Sequence, residues 1–144
     1  MKASPVVLAR LLAERMSVVV PPPVIVRAHG SMVWASTPQF PGGGTDLELW
    51  SDDDNDARVR QGVWSAAYNV LNHVQDYVSE ELKWPWPRDP NRARTFMPMP
   101  MVSIENGRLR LGYGEADRPT LELESIDLAD IADGIGGDLA RSDD

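Results

Sequence analysis

Four short stretches of the chain hold residue types that carry chemistry in other proteins. "SDDDNDA", residues 51–57, spaces carboxylates at Asp52, Asp54 and Asp56, as a calcium loop spaces its first oxygen ligands. Such a loop also needs a glycine at its sixth position and a bidentate glutamate at its twelfth; here those positions hold Ala57 and Val63. The run therefore reads as the solvated start of a helix, where carboxylates cap free amides and meet the positive end of the helix dipole; as a metal site it would be weak and non-selective. His29 and His73 are the two histidines of a chain without cysteine, too few for most zinc sites. His73 shares a helix face with Asp76 and Tyr77, which predicts a surface hydrogen bond, and His29 falls at a hairpin tip. No G-x-S-x-G motif offers either a nucleophile. "PGGGTD" lacks the lysine of a phosphate loop and runs into acids, so its glycines predict a turn. Glu80 and Glu81 are neighbours on a helix and point apart, unlike a paired acid and base. The expectation is no cofactor and no metal, with an enzymatic role ranked below a non-catalytic one.

The fourth stretch is different in kind. "KWPWPRDPNRARTFMPMPM", residues 83–101, packs two tryptophans, five prolines and three methionines into nineteen positions. Two uses fit it. Trp84, Trp86 and Phe96 can close the open end of a helix–sheet core, with the prolines limiting the entropy lost on ordering; this use is preferred for the two tryptophans. Alternatively the loop is a docking surface, because tryptophan, methionine and arginine are enriched at interface centres. Arg88, Arg92 and Arg94 would then ring the apolar patch with positive charge. Met97, Met99 and Met101 suit either use equally. A second apolar patch is predicted on the outer face of an earlier hairpin, at Ile25, Met32 and Trp34.

Bulk properties narrow the classes of function. The 144 residues carry 22 acidic and 14 basic side chains, a net charge of −8, concentrated in residues 46–56 and 101–144. A surface this acidic repels phosphate and disfavours direct binding to nucleic acid or anionic lipid. Apolar runs such as "SVVVPPPVIV" are short and broken by proline, far from the roughly 20 residues a membrane span needs. Lys2 begins the chain in the manner of a leader peptide, but Arg10, Glu14 and Arg15 interrupt any apolar core, so the N-terminus is read as a helix of the mature protein. Without cysteine the expected compartment is the cytoplasm.

The elements that position these residues follow from periodicity. Ser4 and Pro5 offer an N-cap and a first-turn proline to a helix running to about Met16, with Val7, Leu8, Leu11, Leu12 and Met16 on one face. "VIVRAHGSMVWAS" predicts a hairpin turning at Gly30, pairing His29 with Met32, Arg27 with Trp34 and Val26 with Ala35. Val24, Val26, Ala28, Val33 and Ala35 then face the core, and Arg27 lies against Trp34 outside. "TPQFPGGG" is expected as a loop and "TDLELW" as a short strand with Leu47 and Leu49 inward. Between Ala57 and Lys83, Val59, Val63, Ala67, Val70, Leu71, Val74, Tyr77, Val78 and Leu82 form one stripe at 3.6 residues per turn. Pro85 ends that helix. Asn106-Gly107 demands a type I′ turn pairing Glu105 with Arg108, Ile104 with Leu109 and Val102 with Leu111. "TLELESI" adds a strand whose Glu122 and Glu124 meet Arg108 and Arg110. "DLADIADGI" predicts one terminal helical turn.

The predicted fold is α+β, in the order α-β-β-(β)-α-β-β-β, with antiparallel hairpins packed on one long amphipathic helix. Residues 1–133 are expected to form one domain and 134–144 a disordered acidic tail. The stretches "HVQDYVSEELKWPWP", "MPMP", "VSIENGRLRLGYG" and "LELESIDL" resemble those of a loose set of small uncharacterised proteins of actinobacteria and their phages. That resemblance attaches no activity, and implies an actinobacterial or actinophage origin, in the host cytoplasm or in a virion. The leading functional expectation is a non-catalytic interaction or assembly module that binds a protein partner or itself through Trp84, Trp86, Arg88, Phe96, Met97 and Met99, with Trp34 as a second contact. The alternative is an acidic nucleic-acid mimic that occupies a basic partner; an enzyme with a site drawn from distant residues comes third.

Overall fold

The structure, a computed structural model, describes residues 3–40, 42–47 and 56–132. Leu49, the carboxylates Asp52 and Asp54, and the acidic tail lie outside those residues. The architecture is α+β: helix α1 (Pro5–Val19), strands β1 (Ile25–His29), β2 (Met32–Ser36) and β3 (Gly43–Asp46), helix α2 (Asp56–Leu82), strands β4 (Pro100–Glu105), β5 (Arg108–Glu115), β6 (Arg118–Glu122) and β7 (Ile126–Asp127), and a 3₁₀ turn at Leu128–Ile131. The hairpins fall into two antiparallel sheets, one ordered β1-β2-β3 and the other β4-β5-β6 with β7 pairing on β5.

Local chemistry accounts for the element boundaries. The Ser4 hydroxyl accepts the Val7 amide at 3.2 Å and Pro5 fills the first turn. Helix α1 runs one turn further than its sequence suggests, to Val19, where the Val20 amide still reaches the Met16 carbonyl before Pro21 ends the ladder. The Ser17 hydroxyl joins this last turn to the first sheet, donating to Ala13 O at 2.7 Å and lying 2.9 Å from Val26 O. At the other end Ser4 N–H donates to Ile131 O at 2.8 Å and Ala3 bridges Ala132, which ties α1 to the 3₁₀ turn.

Both hairpins adopt the predicted registers. Gly30 takes φ +59° while Ser31 stays at negative φ, as a type II′ turn requires, and Asn106 and Gly107 take φ +53° and +75°, as type I′ requires. Val26, Val33, Ala35, Leu109, Leu111 and Tyr113 are buried. On the outer face of the second sheet, the Arg110 guanidinium grips Glu122 with two bonds, at 2.7 and 3.2 Å. That hydrogen bonding holds the Glu122 carboxyl below its ordinary range and raises Arg110. Among the described residues the Glu124 carboxylate pairs with no arginine; its backbone carbonyl instead accepts Arg15 of α1, and Arg108 turns to Ser125 and Asp127.

Strand β3 departs from expectation. It begins in the glycines, at Gly43, and ends at Asp46, so the last two residues of the predicted loop are strand and the predicted strand starts two residues early. The reason lies across the ladder: Gly44 pairs with Trp34, and a Cβ on Gly44 would come within 2.9 Å of the indole. Trp34 covers the place a side chain would occupy, which rescues a glycine strand that has no apolar pattern of its own. The ring that Arg27 was expected to cover is thus packed on Gly44.

Helix α2 buries Val59, Val63, Ala67, Val70, Leu71, Val74 and Val78 along one stripe, with Ala66 and Gln75 buried beside them. One hydrophobic cluster joins this stripe to both sheets, α1 and the 3₁₀ turn. Two polar contacts fix the helix on the second sheet: Trp64 Nε1–H donates to Val102 O at 2.8 Å, on edge strand β4, and the Tyr113 hydroxyl donates to Leu71 O at 2.6 Å. Burial pushes the Tyr113 hydroxyl well above the ordinary tyrosine range, with the Asp76 charge adding to it.

Candidate functional site

The connector between α2 and β4 is built on two side chains of the helix that the apolar pattern passes over. Helix α2 ends where Lys83 enters the left-handed region, φ +66°, with its amide still bonded to Ser79 O at 2.9 Å. The chain thereby turns off the helix axis and leaves the indole of Trp84 outward, 57% exposed. Two residues later the Ser79 hydroxyl accepts the Trp86 amide at 3.0 Å and draws the connector back across the helix end. Trp86 is only 8% exposed, and its ring meets Tyr113 edge-on at 5.4 Å between centroids. The returning strand is pinned by the same helix face. Buried Gln75 donates its side-chain amide to Pro98 O, Ser79 Oγ lies 3.7 Å from Met97 Sδ, and Gly114 N–H closes on Met99 O at 2.8 Å.

Between these anchors the loop folds on itself. Asp89 accepts the Asn91 amide at 2.9 Å and the Thr120 hydroxyl at 3.2 Å. The Arg92 guanidinium lies 4.6 Å from the Phe96 ring centroid and 3.7 Å from Glu115. These side chains, with Arg118, line a cleft of about 300 Å³ between the connector and the turn after β5. Its charges balance, and Asp89, Arg92 and Glu115 are already engaged with one another or with Thr120. An open groove lies on the connector's other side, lined by Trp84, Pro85 and Met97 of the connector, by Asp76, Ser79 and Glu80 of α2, and by Lys83 between them.

The expected site residues therefore separate. Trp86 caps the core, as its preferred use predicts; Met101 is buried over Gly112, outside the core cluster, while Phe96 and Met97 are half-buried. Trp84 does not cap the core, because the left-handed turn at Lys83 directs it away; Met99 is 63% exposed as well. Arg88 and Arg94 are exposed, but none of the three arginines lines the groove beside Trp84. Trp34 sits apart on the first sheet, where it lines a shallow depression with Arg27 and His29, and neighbouring Ile25 and Phe40 are also exposed.

Sequence reasoning missed Gln75, Ser79, Asp76 and Glu80, which make or wall the groove. Their spacing held a signal: counted with Lys83, Asp76, Ser79 and Glu80 recur at three, four and seven residues, one helical face running into the connector. His73 makes a hydrogen bond, but to Gly43 O at 2.8 Å rather than to its helix neighbours, and the Tyr77 hydroxyl reaches Phe40 O at 3.3 Å. Both clamp the loop leading into β3. Among the described residues no cluster of histidine and carboxylate side chains could hold a metal ion, and no helix is long and apolar enough to cross a membrane. The chain matches no protein-family model, no curated protein and no solved structure.

Proposed function

We propose that the protein is a non-catalytic interaction module whose docking surface is the outward half of the connector, centred on Trp84 with Met97 and Met99 beside it. One observation carries this reading: an indole more than half exposed sits on a backbone held on both sides by hydrogen bonds to Ser79, from the Lys83 and Trp86 amides. A large apolar side chain presented on a fixed scaffold loses little conformational entropy when a partner covers it, which is how interface anchors work. The outer face around Trp34 offers a second, weaker contact.

The test separates folding from binding. Wild type, Trp84→Ala and Trp34→Ala are compared for thermal unfolding, for self-association by sedimentation velocity, and for recovery of partners from the organism of origin. The expected result is that Trp84→Ala folds normally and loses association, with Trp34→Ala losing less. Normal folding with unchanged association in Trp84→Ala would reject the proposal.

A further inference from the structure

The groove beside Trp84 has a chemistry of its own, and from it we infer that the docking surface receives an arginine side chain of the partner protein. This inference rests on the docking role proposed above and adds the identity of what is bound. Three features converge on one small volume. Exposed Trp84 lines one side, and tryptophan is the best aromatic surface for a cation. The opposite wall carries Asp76 and Glu80, one helical turn apart on α2 and both exposed. Asp76 has no ion-pair or hydrogen-bond partner among the described residues, and Glu80 has only Lys83, at 3.8 Å with both side chains about four-fifths exposed. The groove also lies over the last turns of α2, where the helix dipole is negative; Lys83, just past the helix end, lines it too and pairs with Glu80, which leaves one net negative charge there.

A guanidinium satisfies all three features at once. Its plane stacks on the indole while its forked N–H groups reach carboxylates to one side, and it is more weakly hydrated than an ammonium. Met97 and Pro85 supply apolar contact for the methylene stem. The floor is already fixed, since Ser79 holds both the Trp86 amide and the Met97 sulfur. An acidic side chain would meet the Asp76 carboxylate and the negative helix end, with Lys83 already paired to Glu80, so the same features disfavour it.

The probe is N-acetyl-arginine methylamide, followed through the indole N–H resonance of Trp84, assigned by its absence in Trp84→Phe. The neutral isostere N-acetyl-citrulline methylamide serves as control. The expected result is a saturable shift with the arginine probe, none with citrulline, and binding at least about fivefold weaker in Asp76→Asn/Glu80→Gln, given the usual strength of exposed charge pairs. Both carboxylates are exposed, so the double variant should unfold at the wild-type temperature. An unmoved Trp84 resonance, an equal response to citrulline, or an undiminished response in the double variant would overturn the inference. Partner recovery that is lost in Trp84→Ala yet intact in Asp76→Asn/Glu80→Gln would also overturn it while leaving the docking role standing.

Discussion

Trp84 and Trp86 stand two residues apart, each followed by a proline, on the same connector at the same helix end. One is 57% exposed and the other 8%. Composition is identical at the two positions, so the difference comes from what the helix supplies beneath them. A hydroxyl at Ser79 captures the Trp86 amide and sets its ring against Tyr113, whereas the left-handed turn at Lys83 carries Trp84 past the helix with nothing to receive it. An apolar loop is thus divided into a structural half and an available half by two polar backbone contacts. The lesson is that the burial of a hydrophobic residue in a connector is decided by hydrogen-bond anchors on the neighbouring element as much as by the residue itself.

The sharpest way to break this contrast is to remove the buried member. Trp86→Ala should cost about 3–5 kcal/mol, the usual range for truncating a buried aromatic, because the ring leaves a void over Tyr113. Equilibrium denaturation by urea measures it. A loss below about 1 kcal/mol, the scale of a typical single substitution, would show that Trp86 is not part of the core.

The anchor comes next. Gln75→Leu keeps the apolar bulk but withdraws the donor from buried Pro98 O, and should cost about 1–3 kcal/mol for an unsatisfied buried carbonyl. The connector should respond more than the sheets: amide exchange at Trp86 and Phe96, whose N–H groups bond Ser79 Oγ and Ala93 O, should accelerate while β5 keeps its protection. Uniform loss of protection would place Gln75 in the general core instead.

The unequal legibility of the sequence has the same origin as that contrast. The two hairpins could be read to the residue, since Gly30 and Asn106-Gly107 fix turn type and turn type fixes register. The long helix was equally plain in its valine stripe. The start of strand β3 was hidden because its pairing depends on Trp34 lying over Gly44, a contact across strands that no local pattern encodes. Strand β7 was missed because only two residues, Ile126 and Asp127, pair with β5. At the candidate site the connector stood out by composition, but its division did not. That division rests on Gln75 and Ser79, which interrupt or flank the apolar stripe and look like ordinary surface residues until the loop returns across them.

Tyr113, the surface on which Trp86 rests, sharpens the contrast through pH. Its hydroxyl donates to Leu71 O and its pKa is raised by burial. In the unfolded chain tyrosine ionises near about 10, while the folded protein holds the proton to higher pH. The native state therefore binds more protons above that point, and stability is full below about pH 10 and falls as pH rises beyond it. Tyr113→Phe should cost about 1 kcal/mol at neutral pH, the net worth of one hydrogen bond, and should flatten the alkaline decline. An alkaline limb of unchanged slope in the variant would assign the decline to other groups.

The smallest expected effect on stability is the most informative about function. Trp84→Ala removes a side chain of the same type as Trp86 from the same connector, yet it should change stability by no more than about 0.5 kcal/mol, as for surface substitutions that disturb no anchor. Ser79 Oγ, Gln75 and the Lys83 turn are left in place, so the backbone beneath Trp84 has no reason to move. A large loss would mean that the indole supports the loop from outside and that its exposure is a structural compromise. A negligible loss leaves a bulky apolar ring that folding does not need, on a rigid mount beside two carboxylates. The stability term then separates cleanly from the binding term. Any association that disappears in Trp84→Ala can be assigned to the ring and not to a loosened fold.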